Sequence, residues 1–387
     1  MARILVEFYS SRTPENLVSI LSECFDGVCF FSFESGNRPD GKGQEALTRL
    51  IESLCGYRPK FYTVKRQEMA EVLTALRERL PKEEEIYFDL SGGSEIFAAA
   101  AGLFAAERKG VYFHRYDVKK NVRLFRYPEK EAITPPFPRY LSVDELLALG
   151  GNRPIKAPRP CVSKESERQI LRLWSAVRRH GKEWNRFCSL SAEKGGVRQK
   201  ILAGEGANRT WRVISRCLKE AGILFGENYK TKKSGGTQVD FSLDVPEECL
   251  FLYDKAGNLL EMMGALAAHR TGLFSDVRVG VILDWDGKSA KSYQPDPRNE
   301  VDLFLMQNSL PILVSCKNTV PQKEHLYEIM IMAKHYGGFY ARPALFASGR
   351  ATETVRRRAK EMEITLIDGI ASMSVEALTQ RIKALFS

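Results

Sequence analysis

Short β-rich runs alternate with helical stretches from residue 1 to about residue 128, and this alternation constrains the fold more than any other feature of the sequence. The β-rich runs are Ile4 to Tyr9, Val28 to Phe33, Phe61 to Lys65, Glu85 to Leu90 and Val111 to Asp117. Such alternation is typical of a doubly wound parallel sheet. Thr13 followed by Pro14 is a helix-start signal, an N-cap before a first helical residue. We therefore predict an α/β, Rossmann-like domain over residues 1–130.

The remaining sequence divides into three further segments. Residues 131–160 are rich in proline and predict a linker with one short helix. Residues 161–247 contain two amphipathic helical patterns, Ser166 to His180 and Asn208 to Ala221, and a basic hairpin at Tyr229 to Gly236. This order predicts a helical, winged-helix-like connecting segment. Residues 248–387 follow an αβββαβ order and predict a second α/β domain.

Charge and cysteine usage narrow the class of protein. The 387-residue chain carries 58 Lys and Arg against 48 Asp and Glu, a net charge of +10, which favours a polyanionic partner such as nucleic acid. The eight cysteines include no CxxC pair, which indicates neither a zinc ribbon nor a disulfide framework. The longest apolar run, Ile96 to Ala106, is far shorter than the roughly 20 residues that span a bilayer. We expect no membrane association and a cytoplasmic location.

Two hydroxyl-bearing loops follow predicted strands of the first domain. Ser10-Ser11-Arg12-Thr13 follows the first strand, and Ser91-Gly92-Gly93-Ser94 follows Asp89 and leads into a helix. Loops at the carboxyl ends of parallel strands share one edge, and helix N-terminal amides attract phosphates. A phosphate-bearing ligand suits this edge. A tight turn with Ser94 as an ordinary N-cap is the alternative.

These loops resemble those of the CARF domains of type III CRISPR systems, in which a D-x-[ST]-G-G-[ST] loop opens a late helix. The resemblance covers residues 1 to about 130. It implies a homodimer that binds a cyclic oligoadenylate around its two-fold axis, and a four-membered ring, cyclic tetra-adenylate, suits that symmetry best. The ligand contacts that it implies are Ser10, Ser11, Arg12, Thr13, Ser91, Gly92, Gly93 and Ser94.

Carboxylates and a lysine lie on neighbouring predicted strands of the C-terminal domain. Glu300 and Asp302 are two residues apart on one strand, and Ser315 and Lys317 are two apart on the next. Glu261, on the preceding helix, could complete the cluster. Hard oxygen ligands beside a lysine are what metal-assisted phosphodiester cleavage requires. The alternative is that Glu300, Asp302 and Lys317 are solvated charges at strand ends. Glu324 and Glu328, on the following predicted helix, are interpreted as helix surface.

The spacing of fifteen positions from Asp302 to Lys317 resembles the PD-(D/E)XK restriction-endonuclease-like core, and more narrowly the CRISPR ancillary nucleases that join this core to a CARF domain. The resemblance implies Glu300, Asp302 and Lys317 as catalytic residues. It implies Mg²⁺ or Mn²⁺ bound by Glu261, Glu300, Asp302 and Cys316. Ser315 departs from the pattern, because most such nucleases have a second acidic residue there.

The function expected from both resemblances is a cyclic-oligoadenylate-activated, metal-dependent endonuclease that degrades DNA, RNA or both in antiviral defence. A different class remains open: a ligand-controlled transcription regulator that binds DNA through Arg209, Arg212, Arg216 and the Lys230 to Lys233 hairpin. A third possibility is that the N-terminal domain itself cleaves the cyclic activator, in which case variants of Ser11 or Arg12 would lose that activity.

Overall fold

The structure is a computed structural model that describes residues 1–10, 13–34, 41–120, 122–128, 140–149, 154–156, 163–193, 199–202, 205–231, 237–284 and 298–387. Within these ranges the strands form two six-stranded sheets and one three-stranded sheet. No helix in the described part of the chain is long and apolar enough to cross a membrane.

The N-terminal domain is a doubly wound sheet with helices between its strands. Its elements are β1 (Arg3–Phe8), α1 (Val18–Ser22), β2 (Gly27–Phe33), α2 (Gly41–Cys55), β3 (Lys60–Val64), α3 (Met69–Arg79), β4 (Glu85–Asp89), α4 (Glu95–Ala106), β5 (Val111–Asp117) and β6 (Val122–Tyr127). The strand order is β3-β2-β1-β4-β5-β6, and all neighbours are parallel except β5 and β6. The predicted Rossmann-like α/β domain is therefore confirmed.

One local prediction in this domain was wrong. The signal at Thr13 and Pro14 opens a single 3-10 turn, Thr13–Asn16, and the α-helix begins only at Val18. The helix start has no side-chain cap. The turn is instead fixed by hydrogen bonds between Asn16 and Ser10, described below, and these compete with continuation of a helix.

The middle of the chain supplies one strand to the C-terminal sheet and also forms a domain of its own. The predicted linker contains α5 (Val143–Leu149) and β7 (Pro154–Lys156), and β7 adds an antiparallel edge strand to the C-terminal sheet. Then follow α6 (Lys164–Val177), α7 (Gly181–Glu193), β8 (Gln199–Leu202), α8 (Glu205–Glu220), β9 (Leu224–Thr231) and β10 (Thr237–Leu243). The three strands form an antiparallel sheet in the order β8-β10-β9. We call residues 163–243 the middle domain.

The C-terminal domain begins with the predicted αβββαβ order and continues beyond it. Its elements are α9 (Ala256–Thr271), β11 (Asp276–Asp284), β12 (Arg298–Gln307), β13 (Leu310–Lys317), α10 (Lys323–Met332), β14 (Arg342–Ala347), α11 (Glu353–Glu361), β15 (Thr365–Ile367) and α12 (Val375–Phe386). The strand order is β15-β14-β13-β12-β11-β7. In this sheet the neighbours β7 and β11, β11 and β12, and β12 and β13 are antiparallel. The neighbours β13 and β14, and β14 and β15, are parallel.

The two large domains share a hydrophobic core. One buried cluster joins the N-terminal sheet to the face of the C-terminal sheet that α10 and α11 cover, and α5 lies between them through residues such as Leu146 and Leu147. The other face of the C-terminal sheet packs against α9, α12 and the middle domain. Burial of this extent stabilises the arrangement of domains and fixes the sites relative to each other.

Candidate functional site

The two hydroxyl-bearing loops meet at the point where the N-terminal sheet reverses its winding. β1 and β4 are adjacent parallel strands, and the chain proceeds from β1 to β2 on one side and from β4 to β5 on the other. Ser10 follows β1, and Ser91 to Ser94 follow β4. Ligands of doubly wound sheets bind outside the carboxyl ends of the strands at such a reversal.

Ser10 is buried and held on three sides. Its backbone N–H donates to Asn16 Oδ1 at 2.7 Å, Asn16 Nδ2 donates to the Ser10 carbonyl at 2.7 Å, and the Ser10 hydroxyl donates to Glu15 Oε2 at 2.7 Å. These three bonds are made within the loop, so they fix the shape of this edge of the sheet. Ser11 and Arg12 lie outside the described residues, as does the side chain of Thr13.

Gly92 and Gly93 lie directly against the end of β1. A Cβ at Gly93 would stand 2.3 Å from Phe8 Cβ, and the φ of Gly93 is +85°; a Cβ at Gly92 would stand 3.0 Å from Ser10 Cβ. At Gly93 no other residue fits without displacing the strand end, whereas at Gly92 a Cβ would require a small shift of Ser10. Gly93 is therefore required by its packing against β1.

The two serines of the second loop differ in their partners. Ser91 N–H donates to Asp89 Oδ1 at 2.7 Å, and Ser91 Oγ accepts the Tyr116 N–H at 2.8 Å. Ser94 has extended backbone angles at the N-cap of α4 but makes no capping hydrogen bond, and its buried Oγ has no partner among the described residues. The ordinary N-cap interpretation therefore does not account for Ser94. Its hydroxyl is left without a partner there, and the first amides of α4 remain available to an anion.

A layer of buried polar groups lies beneath these loops, and sequence reasoning missed it. Asp89 is fully buried, and burial raises its pKa to about 6; Ser19 Oγ donates to its carboxylate and lies 2.9 Å from His114 Nε2. Burial lowers the pKa of His114 to about 3, so the ring is neutral at neutral pH. Burial, with the charges of Asp89 and Glu15, raises the pKa of Glu7 well above its usual value. The available signal was a polar residue inside each apolar strand run, Glu7 and His114.

Glu15 joins this edge to the C-terminal domain. One carboxylate oxygen accepts the Ser10 hydroxyl, and the other accepts the hydroxyl of Tyr340. Tyr340 follows the π-helical turn Ala333–Gly337 that extends α10. It also packs against a small cluster that unites Val18 and Tyr116 with Leu310. The Ser10 loop and the turn that follows the α10 extension are thus in direct contact.

In the C-terminal domain, Asp302 lies where two strands separate. β12 and β13 pair over Leu303 to Gln307, so their ladder ends one residue after Asp302. The Asp302 carboxylate bridges the gap, because Oδ2 accepts the Cys316 N–H at 2.6 Å and the Ser315 hydroxyl at 3.3 Å. Burial raises the pKa of Asp302, while the Cys316 N–H and the charge of Lys317 oppose the rise. The aspartate is held in one orientation.

Lys317 ends β13 and is half-buried. Its Nζ lies 3.4 Å from Glu328 Oε2 on α10. Glu328, interpreted from sequence as helix surface, is exposed but lies within reach of this lysine. The pair therefore links the strand that carries Lys317 to the helix whose far end leads to Tyr340.

Glu261 and Glu300 complete an acidic cluster around Asp302. Burial raises the pKa of Glu261 to about 8, and the charges of Asp302 and Glu300 add to the rise. Glu300 is exposed, 3.9 Å from Lys255 Nζ. As the side chains stand, no three His, Cys, Asp or Glu side chains in the described ranges form a ready metal cage. Three interacting carboxylates are nevertheless a donor set that suits a hard divalent cation.

Cys316 contributes to the cluster through its main chain. Its N–H holds Asp302, while its side chain is buried in the core, and burial raises the pKa of the thiol well above its usual value. A protonated, buried thiol is a poor ligand for a hard cation.

No protein-family model and no curated protein match this sequence, but solved structures share its fold. Protein VC1899 from Vibrio cholerae superposes with a TM-score of 0.76 at 15% identity, over 99% of this chain and 98% of that one. Can2 from Sulfobacillus thermosulfidooxidans, in complex with cyclic tetra-adenylate, superposes with a TM-score of 0.70 at 14% identity, over 99% of this chain and 97% of that one. The complete arrangement of domains is therefore a known fold.

Proposed function

We propose that this protein is a CARF-type sensor nuclease of type III CRISPR antiviral defence, activated by cyclic tetra-adenylate and dependent on Mg²⁺ or Mn²⁺. The observation that carries the proposal is the fold shared from end to end with a protein solved with cyclic tetra-adenylate bound. Polar sites at both ends of this chain support it. The N-terminal site offers hydroxyls and helix amides for phosphates, and the C-terminal site offers carboxylates and a lysine.

The sensor acts as a homodimer in this proposal, and the surface of α4 supports it. Beyond Glu95, the exposed side of this helix is apolar and consists of small residues with Leu103, and the helix begins directly after the Ser91 to Ser94 loop. On β6, the apolar side chains of Leu124, Phe125 and Tyr127 are also exposed. Pairing of two α4 helices about a two-fold axis would bring two copies of the loop together around one ring.

The cutting site uses the acidic cluster and Lys317. Asp302, Glu300 and Glu261 would hold the cation, with the main-chain oxygen of Cys316 as a further ligand. A cation held there would supply an activated water and would neutralise charge on the phosphate. Lys317, at the end of β13, stabilises the negative charge that develops on the phosphorus oxygens. The Cys316 N–H and the Ser315 hydroxyl keep Asp302 in place.

Assays on three substrates test the catalytic half of the proposal. Labelled single-stranded DNA, single-stranded RNA and supercoiled plasmid are incubated with the protein, cyclic tetra-adenylate and Mg²⁺ or Mn²⁺. We expect at least one substrate to be cut, and cutting to stop when EDTA removes the cation. Cleavage that persists in EDTA would contradict a metal-dependent site.

Coupling between the two sites would run through Glu15 and Tyr340. Glu15 receives the hydroxyl of Ser10 at the ligand edge and that of Tyr340 at the end of the α10 extension, and α10 carries the Glu328 that faces Lys317. A ligand that moves the Ser10 loop would therefore move the support of Lys317. Activation then requires that the ligand binds the arrangement before this movement and the arrangement after it with different affinities.

Replacing Tyr340 with Phe removes one hydroxyl from this path. Residues that carry coupling change it by about 0.5–2 kcal/mol, so we expect the ratio of cleavage rates with and without cyclic tetra-adenylate to fall by about 2- to 30-fold. Ligand affinity is measured in parallel by calorimetry. Tyr327→Phe, on the exposed side of α10, is the matched control. If both variants keep the wild-type ratio, the coupling does not pass through Tyr340.

The transcription-regulator alternative is favoured by one observation. Arg209, Arg212 and Arg216 lie on the exposed side of α8 and form no ion pair with a described residue. Lys230 is paired with Asp240, and Lys232 and Lys233 lie outside the described residues. A regulator would bind one DNA sequence much more tightly than others, and Lys317→Ala would not change its DNA affinity. Competition between specific and random duplexes separates the two functions.

A further inference from the structure

The excess positive charge of the chain is concentrated in the middle domain. Residues 163–243 contain 17 Lys and Arg against eight Asp and Glu, a net charge of +9, whereas the whole chain carries +10. The two large domains are therefore almost neutral together. A local excess of this size attracts polyanions to one part of the surface.

One row of these charges lies along α7 and the turn before it. Arg179, Lys182 and Arg186 are all exposed, and their spacing of three and four residues puts them on one side of the helix. None of the three forms an ion pair with a residue that the structure describes. Two other basic residues of the middle domain are neutralised, Lys219 by Glu227 and Lys230 by Asp240.

This row lies beside the acidic cluster of the C-terminal domain. Asn185 Nδ2 donates to the Asn318 carbonyl at 2.9 Å, and Asn318 Nδ2 donates to Asn185 Oδ1 at 2.7 Å. Asn318 directly follows Lys317 in the sequence, and Lys182 is one helical turn before Asn185. A paired amide contact thus fixes one end of the basic row next to the end of β13.

We propose that Arg179, Lys182 and Arg186 bind the phosphate backbone of the nucleic-acid substrate and hold it against the acidic cluster, an assignment that rests on the proposed nuclease function. The carboxylates of Glu261, Glu300 and Asp302 repel a phosphodiester, so the substrate needs cationic contacts close by. Lys and Arg contacts to phosphate carry no sequence information. The row therefore supplies affinity without base specificity.

The test is a binding measurement under conditions that exclude cleavage. Fluorescence anisotropy of a labelled single-stranded DNA is recorded in EDTA for the wild type and for Arg179→Ala/Lys182→Ala/Arg186→Ala. We expect affinity to fall by about tenfold or more near 0.1 M salt, and the slope of log K against log salt to fall by about 2, because each lost phosphate contact removes about 0.7. Circular dichroism melting checks that the variant is folded.

A second variant, which removes two positive charges instead of three, serves as the control. Arg357→Ala/Lys360→Ala removes two exposed charges from α11, which covers the opposite face of the C-terminal sheet from the middle domain. Its affinity and salt slope should stay close to those of the wild type. Equal affinity and slope in the α7 variant and the wild type would overturn the assignment. If the wild type binds DNA through the row yet cuts nothing with any activator and cation, the nuclease proposal fails and the binding assignment stands.

Discussion

Replacing Lys317 with Ala should lower the rate of nucleic-acid cleavage by about 10²–10³-fold, the loss typical of removing one group that stabilises transition-state charge. Lys317 is the basic residue that ends β13, and its charge reaches Asp302 across the gap between β12 and β13. Cleavage is measured under single-turnover conditions with saturating substrate. Cyclic tetra-adenylate should still bind to this variant, because the ligand loops belong to the other domain.

Lys323→Ala is the control for this variant. Lys323 is exposed at the first residue of α10 and forms no ion pair with a residue that the structure describes. Its loss removes the same charge from the same region, so the cleavage rate should stay within about threefold of the wild type. If Lys317→Ala cuts as fast as Lys323→Ala, Lys317 has no part in the chemistry.

Replacing Gly93 with Ala should destabilise the protein by about 2–4 kcal/mol, because the new Cβ combines overpacking with a disfavoured backbone conformation. The Cβ would stand 2.3 Å from Phe8 Cβ, and the φ of +85° disfavours any residue with a side chain. The midpoint of urea unfolding, followed by circular dichroism, reports the loss. Binding of cyclic tetra-adenylate should weaken as well, because the clash displaces the loop that carries Ser94.

Gly41→Ala is the control, because it replaces a glycine with alanine at a position where the new Cβ meets no other atom. Gly41 begins α2, and a Cβ there would have no heavy atom within 4 Å. Its unfolding midpoint should stay at or slightly above that of the wild type, since alanine favours helices. An equal midpoint for Gly93→Ala and the wild type would mean that the loop packs against β1 less closely than described.

The order of strands and helices could be predicted from the sequence because each element is encoded locally. Alternating apolar runs marked β1, β2, β3, β4 and β5, and the αβββαβ order of the C-terminal domain followed from the same periodicity. The turn at Thr13 was misread because the Asn16 side chain competes with helix formation. β7 was hidden in a proline-rich stretch, since pairing with β11 depends on a partner more than 120 residues away.

The residues that connect the sites could not be predicted, because they meet only after folding. Glu15 and Tyr340 are 325 positions apart, and neither belongs to a motif. The separation of β12 from β13, which makes Asp302 accept the Cys316 N–H, is likewise a property of the sheet. Ser315 stood out in the sequence as a departure from the nuclease pattern. In the structure its hydroxyl lies 3.3 Å from Asp302, where an acidic residue would add charge.

The most direct test of the account is the rate of substrate cleavage by the wild-type protein as cyclic tetra-adenylate is added in the presence of Mn²⁺. The account predicts little cutting without the ring and a saturable rise with it, with half-saturation at the affinity found by calorimetry. It also predicts no rise in Lys317→Ala, which should still bind the ring. A cleavage rate that is the same with and without the ring, although the ring binds, would contradict the claim that the N-terminal site controls the C-terminal one.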